Sequence, residues 1–343
     1  MTAAFRASPW QRAGWLAALL GPLIAHPGAW AAPQGEPAQA PLDAMSWLAR
    51  VKQAALTRNY QGTLVYTAAG VVSSSRVLHF CEGRQRYERI EVLDGEMRQV
   101  FRHNDTTQTL WPRSRVAVVE QRDATPDFPA LPAGDGQALD SYELRVLGRE
   151  RIAGHEAQVL LLKPRDAHRF AQRLWAEQGS GLLLRADTIG SKGEVLESAA
   201  FSDVTIGGKP QPDVVLAPMR KLEGYRVVRP AVAKTQLEAE GWTLARAVPG
   251  FQLVSCVKRP LTAAHEAATD ASAQVLQAVF SDGMTHVSVF VEPYDAQRHK
   301  PMATSLGATH TWMQRAGSWW ITAMGDVPIA TVQLFAAALE RRP

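Results

Sequence analysis

Apolar positions along the chain change period twice. Behind Asp43, a good N-cap, Met45, Leu48, Val51 and Ala55 recur at helical spacing, which predicts one helix ending before Asn59. From Tyr60 the period becomes two. Residues 63–66, 76–80, 85–92, 97–101, 108–111 and 116–120 read as successive strands, separated by turns such as Asp94-Gly95 and His103-Asn104-Asp105. After the Pro/Gly/Asp-rich stretch 123–136, a candidate mobile cover or insertion, alternation resumes at 142–147, 156–163, 170–177, 182–188 and 195–204. One helix followed by a long antiparallel meander is an α+β or half-barrel plan, whose apolar face needs a helix, a ligand or closure to cover it.

Residues 207–240 hold Pro210, Pro212, Pro218 and Pro230 without a sustained period and are expected to be a linker. A smaller unit follows, with strands at 251–257, 274–280, 286–291 and 319–323. A closing helix capped by Asp326 is expected to bury Ile329, Val332, Phe335 and Leu339. Trp312, Trp319 and Trp320 crowd this unit. If Trp319 faces the core, alternation turns Trp320 outward as an interface anchor.

At the N-terminus, a positive segment through Arg12 precedes the apolar run 13–25 and Ala29-Trp30-Ala31, a small-x-small cleavage pattern. The run is too short to span a bilayer and contains Pro22, so residues 1–31 are expected to be a signal peptide cleaved near Ala31. The expected organisation is 1–31 signal, 32–41 flexible leader, 42–206 large domain, 207–240 linker and 241–343 small domain. Export to an oxidising compartment permits a Cys81–Cys256 disulfide; two small buried hydrophobes are an equally good reading.

Charge excludes one partner class. The 37 Lys+Arg against 33 Asp+Glu fall to 35 against 33 once Arg6 and Arg12 leave with the signal, and +2 is too little to suggest nucleic acid. Catalytic signatures are equally scarce. His155-Glu156 and His265-Glu266 begin like a helical zinc motif, but Val159 and Thr269 occupy the closing positions. No Gly-x-Ser-x-Gly elbow, phosphate loop or cofactor motif is present. Non-local carboxylate pairs leave a secreted hydrolase as an alternative. A binding role rests on the arginine-rich meander from Arg76 to Arg122, which holds nine arginines and seven acids. It is either a solvated face or a site for anionic head groups or an acidic peptide.

Several blocks then agree in order with one known family. Residues 151–159 (RIAGHEAQV), 163–166 (KPRD), 173–177 (RLWAE), 201–204 (FSDV) and 280–293 (FSDGMTHVSVFVEP), with Gly325-Asp-Val-Pro328, resemble the sigma-E regulator family RseB/MucB across essentially the whole mature chain. The resemblance implies an α+β protein of two domains. The large one is a half-open antiparallel β-barrel covered by helices, like the lipoprotein carriers LolA and LolB, and the small one is an α+β C-terminal domain. It also implies a periplasmic, non-enzymatic negative regulator. Such a protein binds the periplasmic region of a transmembrane anti-sigma factor, shields it from a site-1 protease, and releases it on sensing lipopolysaccharide or mislocalised lipoprotein. Dimers or larger assemblies are implied as well. On this reading Leu64, Tyr66, Phe101, Trp111, Trp175 and Leu183 would hold acyl chains, with Arg84, Arg86 and Arg102 at the phosphates. Phe290, Glu292, Tyr294 and Trp320 would grip the anti-sigma segment. A periplasmic lipoprotein or lipid carrier is the alternative, for which the second domain would be superfluous.

Overall fold

The computed structural model describes residues 43–121, 140–260 and 274–342. The expected signal peptide, the expected leader and the stretch 123–136 lie outside them. Helix α1 (Ala44–Thr57) opens as expected, Asp43 accepting the Ser46 N–H at 2.7 Å. Its buried stripe is Trp47, Leu48, Val51, Ala54 and Ala55, and Met45 is half exposed rather than buried.

Eleven strands follow in order: β1 (Tyr60–Ala68), β2 (Val71–Glu82), β3 (Gln85–Val92), β4 (Gln99–His103), β5 (Thr106–Trp111), β6 (Val116–Gln121), β7 (Tyr142–Ile152), β8 (His155–Pro164), β9 (Ala171–Glu177), β10 (Leu183–Ile189) and β11 (Val195–Ile206). Two-residue hairpins join β1 to β2 and β7 to β8. Ala69-Gly70 and Ala153-Gly154 both have positive φ, the primed-turn geometry that follows strand twist. In β1, Gly62 is required by close approach, because a Cβ there would strike the Asp203 carbonyl and Val204 Cα of β11.

The stretch expected to be a linker carries structure instead. It forms α2 (Asp213–Arg220), β12 (Arg226–Val228) and β13 (Ala233–Lys234). Pro218 falls within the last turn of α2, which hid a helical period of only two turns. Strand β12 adds in parallel to β6, giving a 12-stranded sheet of order β12-β6-β5-β4-β3-β2-β1-β11-β10-β9-β8-β7. The two ends of that order do not meet, so the barrel is half open.

The remaining elements are β14 (Trp242–Leu244), β15 (Gln252–Pro260), β16 (Gln274–Ser281), β17 (His286–Pro293), β18 (Met302–Leu306), β19 (Thr309–Ala316), β20 (Trp319–Gly325), α3 (Ile329–Ala338) and β21 (Leu339–Arg341). Strands β15 to β20 join β13 in a smaller, seven-stranded sheet of order β13-β15-β16-β17-β20-β19-β18, while β14 and β21 pair with each other as a separate two-stranded sheet. Helix α3 buries Val332 and Phe335 against Phe251, Phe280, Val287 and Ile321. Its N-cap is Pro328, and Asp326 instead accepts the Thr309 hydroxyl at 2.5 Å. The β18–β19 hairpin escapes the period-two test because all five β18 residues are exposed. The described residues fall within one compact unit.

Candidate functional site

Register decides which residues share a wall. Directly paired residues project to one side of a sheet, so the ladders can be followed strand by strand. Tyr66 pairs with Ala199, Ala199 with Ala186, and Ala186 with Leu174, beneath α1. Leu64, Trp111, Leu183, Arg86 and Arg102 belong to that α1 face. Phe101 pairs with Arg89 and Arg89 with Leu78, on the opposite face, where Phe101 packs under α2 beside Phe80, Tyr87, Leu110 and Val215. Trp175 pairs with Arg185, Arg185 with Ala200 and Ala200 with Val65, one position from Leu64, yet Leu64 packs against the same apolar cluster as Trp175, with Tyr60, Val159 and Phe201. Phe101 is removed from the expected acyl-chain wall by the one-residue alternation that reverses a strand's faces. Trp175 is buried, bonded to Glu150 at 2.9 Å and covered by the Arg185 guanidinium.

On the α1 face, Arg102 is already paired, 2.9 Å from Glu88. Arg84 is exposed in the β2–β3 turn. Beside them His79 stacks on Tyr60 (5.0 Å between ring centres, 7° between planes) and touches the Cys81 sulfur at 3.3 Å. Burial, aided by Arg86 and Arg102, pushes His79 down to about 4, so this imidazole is neutral at pH 7. Cys81 and Cys256 are both free thiols, and burial raises each above its ordinary value. On the other face a groove of about 90 Å³ is lined by Arg76, Leu78, Arg89 and Glu91.

The second feature is the seam between the two sheets. Arg169, after β8, and Asp282, in the β16–β17 turn, form a fully buried ion pair at 2.6 Å. Asp282 also accepts the Tyr142 hydroxyl at 2.9 Å and the Met284 and Thr285 N–H groups at 2.8 Å. Arg169 further bonds Asp166 and the Pro249 carbonyl and lies 4.8 Å from the Phe251 ring centre. Both carboxylate oxygens of Asp282 are thus occupied, as burial of the charge requires. Met284 inserts into the α1 cluster with Tyr142 and Leu162, and Thr331 of α3 donates to the His168 carbonyl.

A second contact lies where the β18–β19 turn meets β11. Glu197 accepts the Ala308 N–H at 2.9 Å and the Tyr66 hydroxyl. Burial, with Asp326 nearby, raises the Glu197 carboxyl above its ordinary value. At the far side Arg259 reaches Glu120 of β6 at 3.5 Å. The sheets meet through buried charge, hydrogen bonds and apolar insertion at once.

Of the residues expected to grip a partner, Phe290 and Glu292 lie on the sheet face opposite α3, together with Trp320. Trp320 does not project into solvent, being only 3% exposed. The 295–301 segment folds back over it, His299 stacking at 4.7 Å and 3° with its Nε2 3.5 Å from Glu292. Tyr294 is partly buried under the Arg315 guanidinium at 4.2 Å. The seam residues Arg169 and Asp282 were not singled out in the sequence. Asp282-Gly283 marks a turn, but nothing local says that its carboxylate meets an arginine 113 positions away.

Comparison with known proteins matches two family models in order: the MucB/RseB N-terminal domain over residues 43–220 and the MucB/RseB C-terminal domain over 236–340. The sigma factor AlgU regulatory protein MucB of Pseudomonas aeruginosa is 30% identical over 330 residues, covering 94% of this chain and 95% of that protein. The sigma-E factor regulatory protein RseB of Haemophilus influenzae is 22% identical over 299 residues, 85% and 89% of the two chains. Among solved structures, MucB in complex with MucA(peri) aligns with TM-score 0.65 at 26% identity, over 88% of this chain and 100% of that one. The Pseudomonas aeruginosa MucA/MucB complex aligns with TM-score 0.67 at 26% identity, over 88% and 99%.

Proposed function

The chain belongs to the MucB/RseB family, and from that premise we propose that it is a periplasmic negative regulator that binds the periplasmic region of a transmembrane anti-sigma factor. The observation that carries this reading is the alignment, across both sheets, with a MucB solved together with MucA(peri). Binding, not turnover, is the mode of action, and signal cleavage near Ala31 delivers a mature chain to the periplasm. The domains would comprise 42–206 and 241–343, with α2 and β12 packed on the large sheet and β13 paired in the small one.

Shielding follows from geometry. A segment lying across both sheets is held against a platform whose halves are fixed by the Arg169–Asp282 seam, and a protease that needs the segment extended is kept off. Release on lipopolysaccharide or mislocalised lipoprotein is a linkage between two sites, in which lipid favours a state with lower affinity for the segment. Leu64, Tyr66, Trp111 and Leu183 of the α1 face are the proposed acyl contacts, with Arg84 and Arg86 at the head group. Tyr66 links the two sites physically, because its hydroxyl bonds Glu197 at the contact with the small sheet. Self-association into dimers or larger assemblies completes the reading.

The test reconstitutes cleavage of the anti-sigma periplasmic region by its site-1 protease. The mature chain should slow cleavage, and added lipopolysaccharide should restore it. Cleavage unaffected by the chain rejects the reading; protection that lipopolysaccharide leaves intact rejects the sensor half.

A further inference from the structure

Sheet edges expose unpaired backbone groups, and proteins normally defend them. Among the described residues the edges differ sharply. Strands β12 and β13 are three and two residues long. Strand β7 is long but is bulged at Val146–Gly148 and carries Glu143, Arg145, Arg149, Glu150 and Arg151. Strand β18, Met-Ala-Thr-Ser-Leu, has no charge, no proline and no bulge, and every residue is exposed, Met302 at 50% and Leu306 at 59%. It is the undefended edge.

Its backbone is also oriented for pairing. Leu306 and Thr309 close a two-residue loop whose first central residue, Gly307, has φ +59°. They form a hydrogen-bonded pair, so the N–H and C=O groups of Met302, Thr304 and Leu306 point to β19. Those of Ala303 and Ser305 point to the open side. We infer that β18 pairs with β18 of a second copy of this chain, antiparallel and centred on Thr304. This deepens, and rests on, the self-association proposed above.

The strand is complementary to itself in that register. Ala303 faces Ser305 of the other copy in a hydrogen-bonded pair, and the symmetric pair repeats it, giving four inter-chain bonds. Met302 lies opposite the second copy's Leu306 on one face, so two exposed apolar side chains cover each other twice. Thr304 meets its own image across the two-fold axis. No like charges are brought together. Lys300 and Pro301 bound the pairing at one end and the Gly307 turn at the other. Five residues a side is small against the roughly 20–30 of a standard interface, so the contact is weak and reversible.

The experiment uses the mature chain carrying Cys81→Ser and Cys256→Ala, with Thr304→Cys or Ala303→Cys added, under mild oxidation at micromolar concentration. Directly opposed residues in a non-hydrogen-bonded pair sit within disulfide reach. Thr304→Cys should give an inter-chain disulfide dimer, and Ala303→Cys should not. Ser305→Pro removes an outward N–H without touching the β19 ladder. It should leave circular dichroism and the melting temperature intact while sedimentation equilibrium loses the dimer.

Failure of Thr304→Cys to cross-link, or equal cross-linking by Ala303→Cys, overturns the inference. If the wild-type chain self-associates and neither Thr304→Cys nor Ser305→Pro behaves as stated, self-association stands and this interface falls. If the wild-type chain is monomeric throughout, both fall. If Ser305→Pro weakens anti-sigma binding while Thr304→Cys stays monomeric, the edge takes a peptide strand and the inference is rejected.

Discussion

Replacing Asp282 by Ala removes the anchor of the seam. The guanidinium of Arg169 has no exposed side-chain surface, and neither does Asp282. Removing one partner of a buried pair costs about 3–5 kcal/mol, because a charge is left uncompensated in a dry site. Arg169 keeps Asp166 and the Pro249 carbonyl, which pulls the loss toward the lower end of that range. The Tyr142 hydroxyl and the Met284 and Thr285 N–H groups lose their acceptor, which pushes it back up. A net loss of about 3–4 kcal/mol is expected, read from urea unfolding followed by tryptophan fluorescence and circular dichroism together. The double change Arg169→Met with Asp282→Leu removes both charges and should cost less than Asp282→Ala alone. A loss below about 1 kcal/mol for Asp282→Ala, typical of solvated surface pairs, would refute the claim that the seam is dry.

Three further outcomes are expected. His79 is held at about 4 against an ordinary 6.5, so the folded state binds fewer protons there. At about 1.4 kcal/mol per pH unit, roughly 3 kcal/mol of stability present above pH 6.5 should be lost as pH falls toward 4, and His79→Phe should flatten that difference in urea titrations. Glu197 has the opposite sign, since its raised value gives stability that is complete below the ordinary 4.5 and lost as pH rises through the folded value. Glu197→Gln keeps an acceptor for the Ala308 N–H, should be at least as stable at pH 7, and should lose this slope. Gly62→Ala drives a Cβ into the β11 backbone and should cost at least about 2 kcal/mol in urea unfolding, against about 1 kcal/mol for Gly83→Ala, where φ is positive and the space is open.

Much of the large sheet was legible because its strands obey a local rule, alternation between two environments, and its turns carry residues that tolerate positive φ, such as Gly83 and Asn104. What escaped depends on tertiary contact. Helix α2 is eight residues with an internal proline, and only the Phe80–Phe101–Leu110 surface beneath it makes it a stable element. Strand β18 has no buried face and so no period. The expected site residues divide the same way. Leu64, Tyr66 and Trp111 share a face by alternation and Leu183 reaches it through the register shift between Leu183 and Arg185, whereas Phe101 was placed on it from apolarity alone. Trp320 obeys alternation, yet the segment bearing His299 folds over it, which no count along β20 reveals. The seam needs Arg169 and Asp282 to meet across the chain, and a single sequence carries no local trace of that meeting.

The most direct measurement is calorimetric titration of residues 32–343 with the purified periplasmic region of the anti-sigma factor. Saturable binding at micromolar concentrations, one segment per chain and weakened by Asp282→Ala, is the predicted result. No heat and no complex at those concentrations would contradict the regulator reading outright.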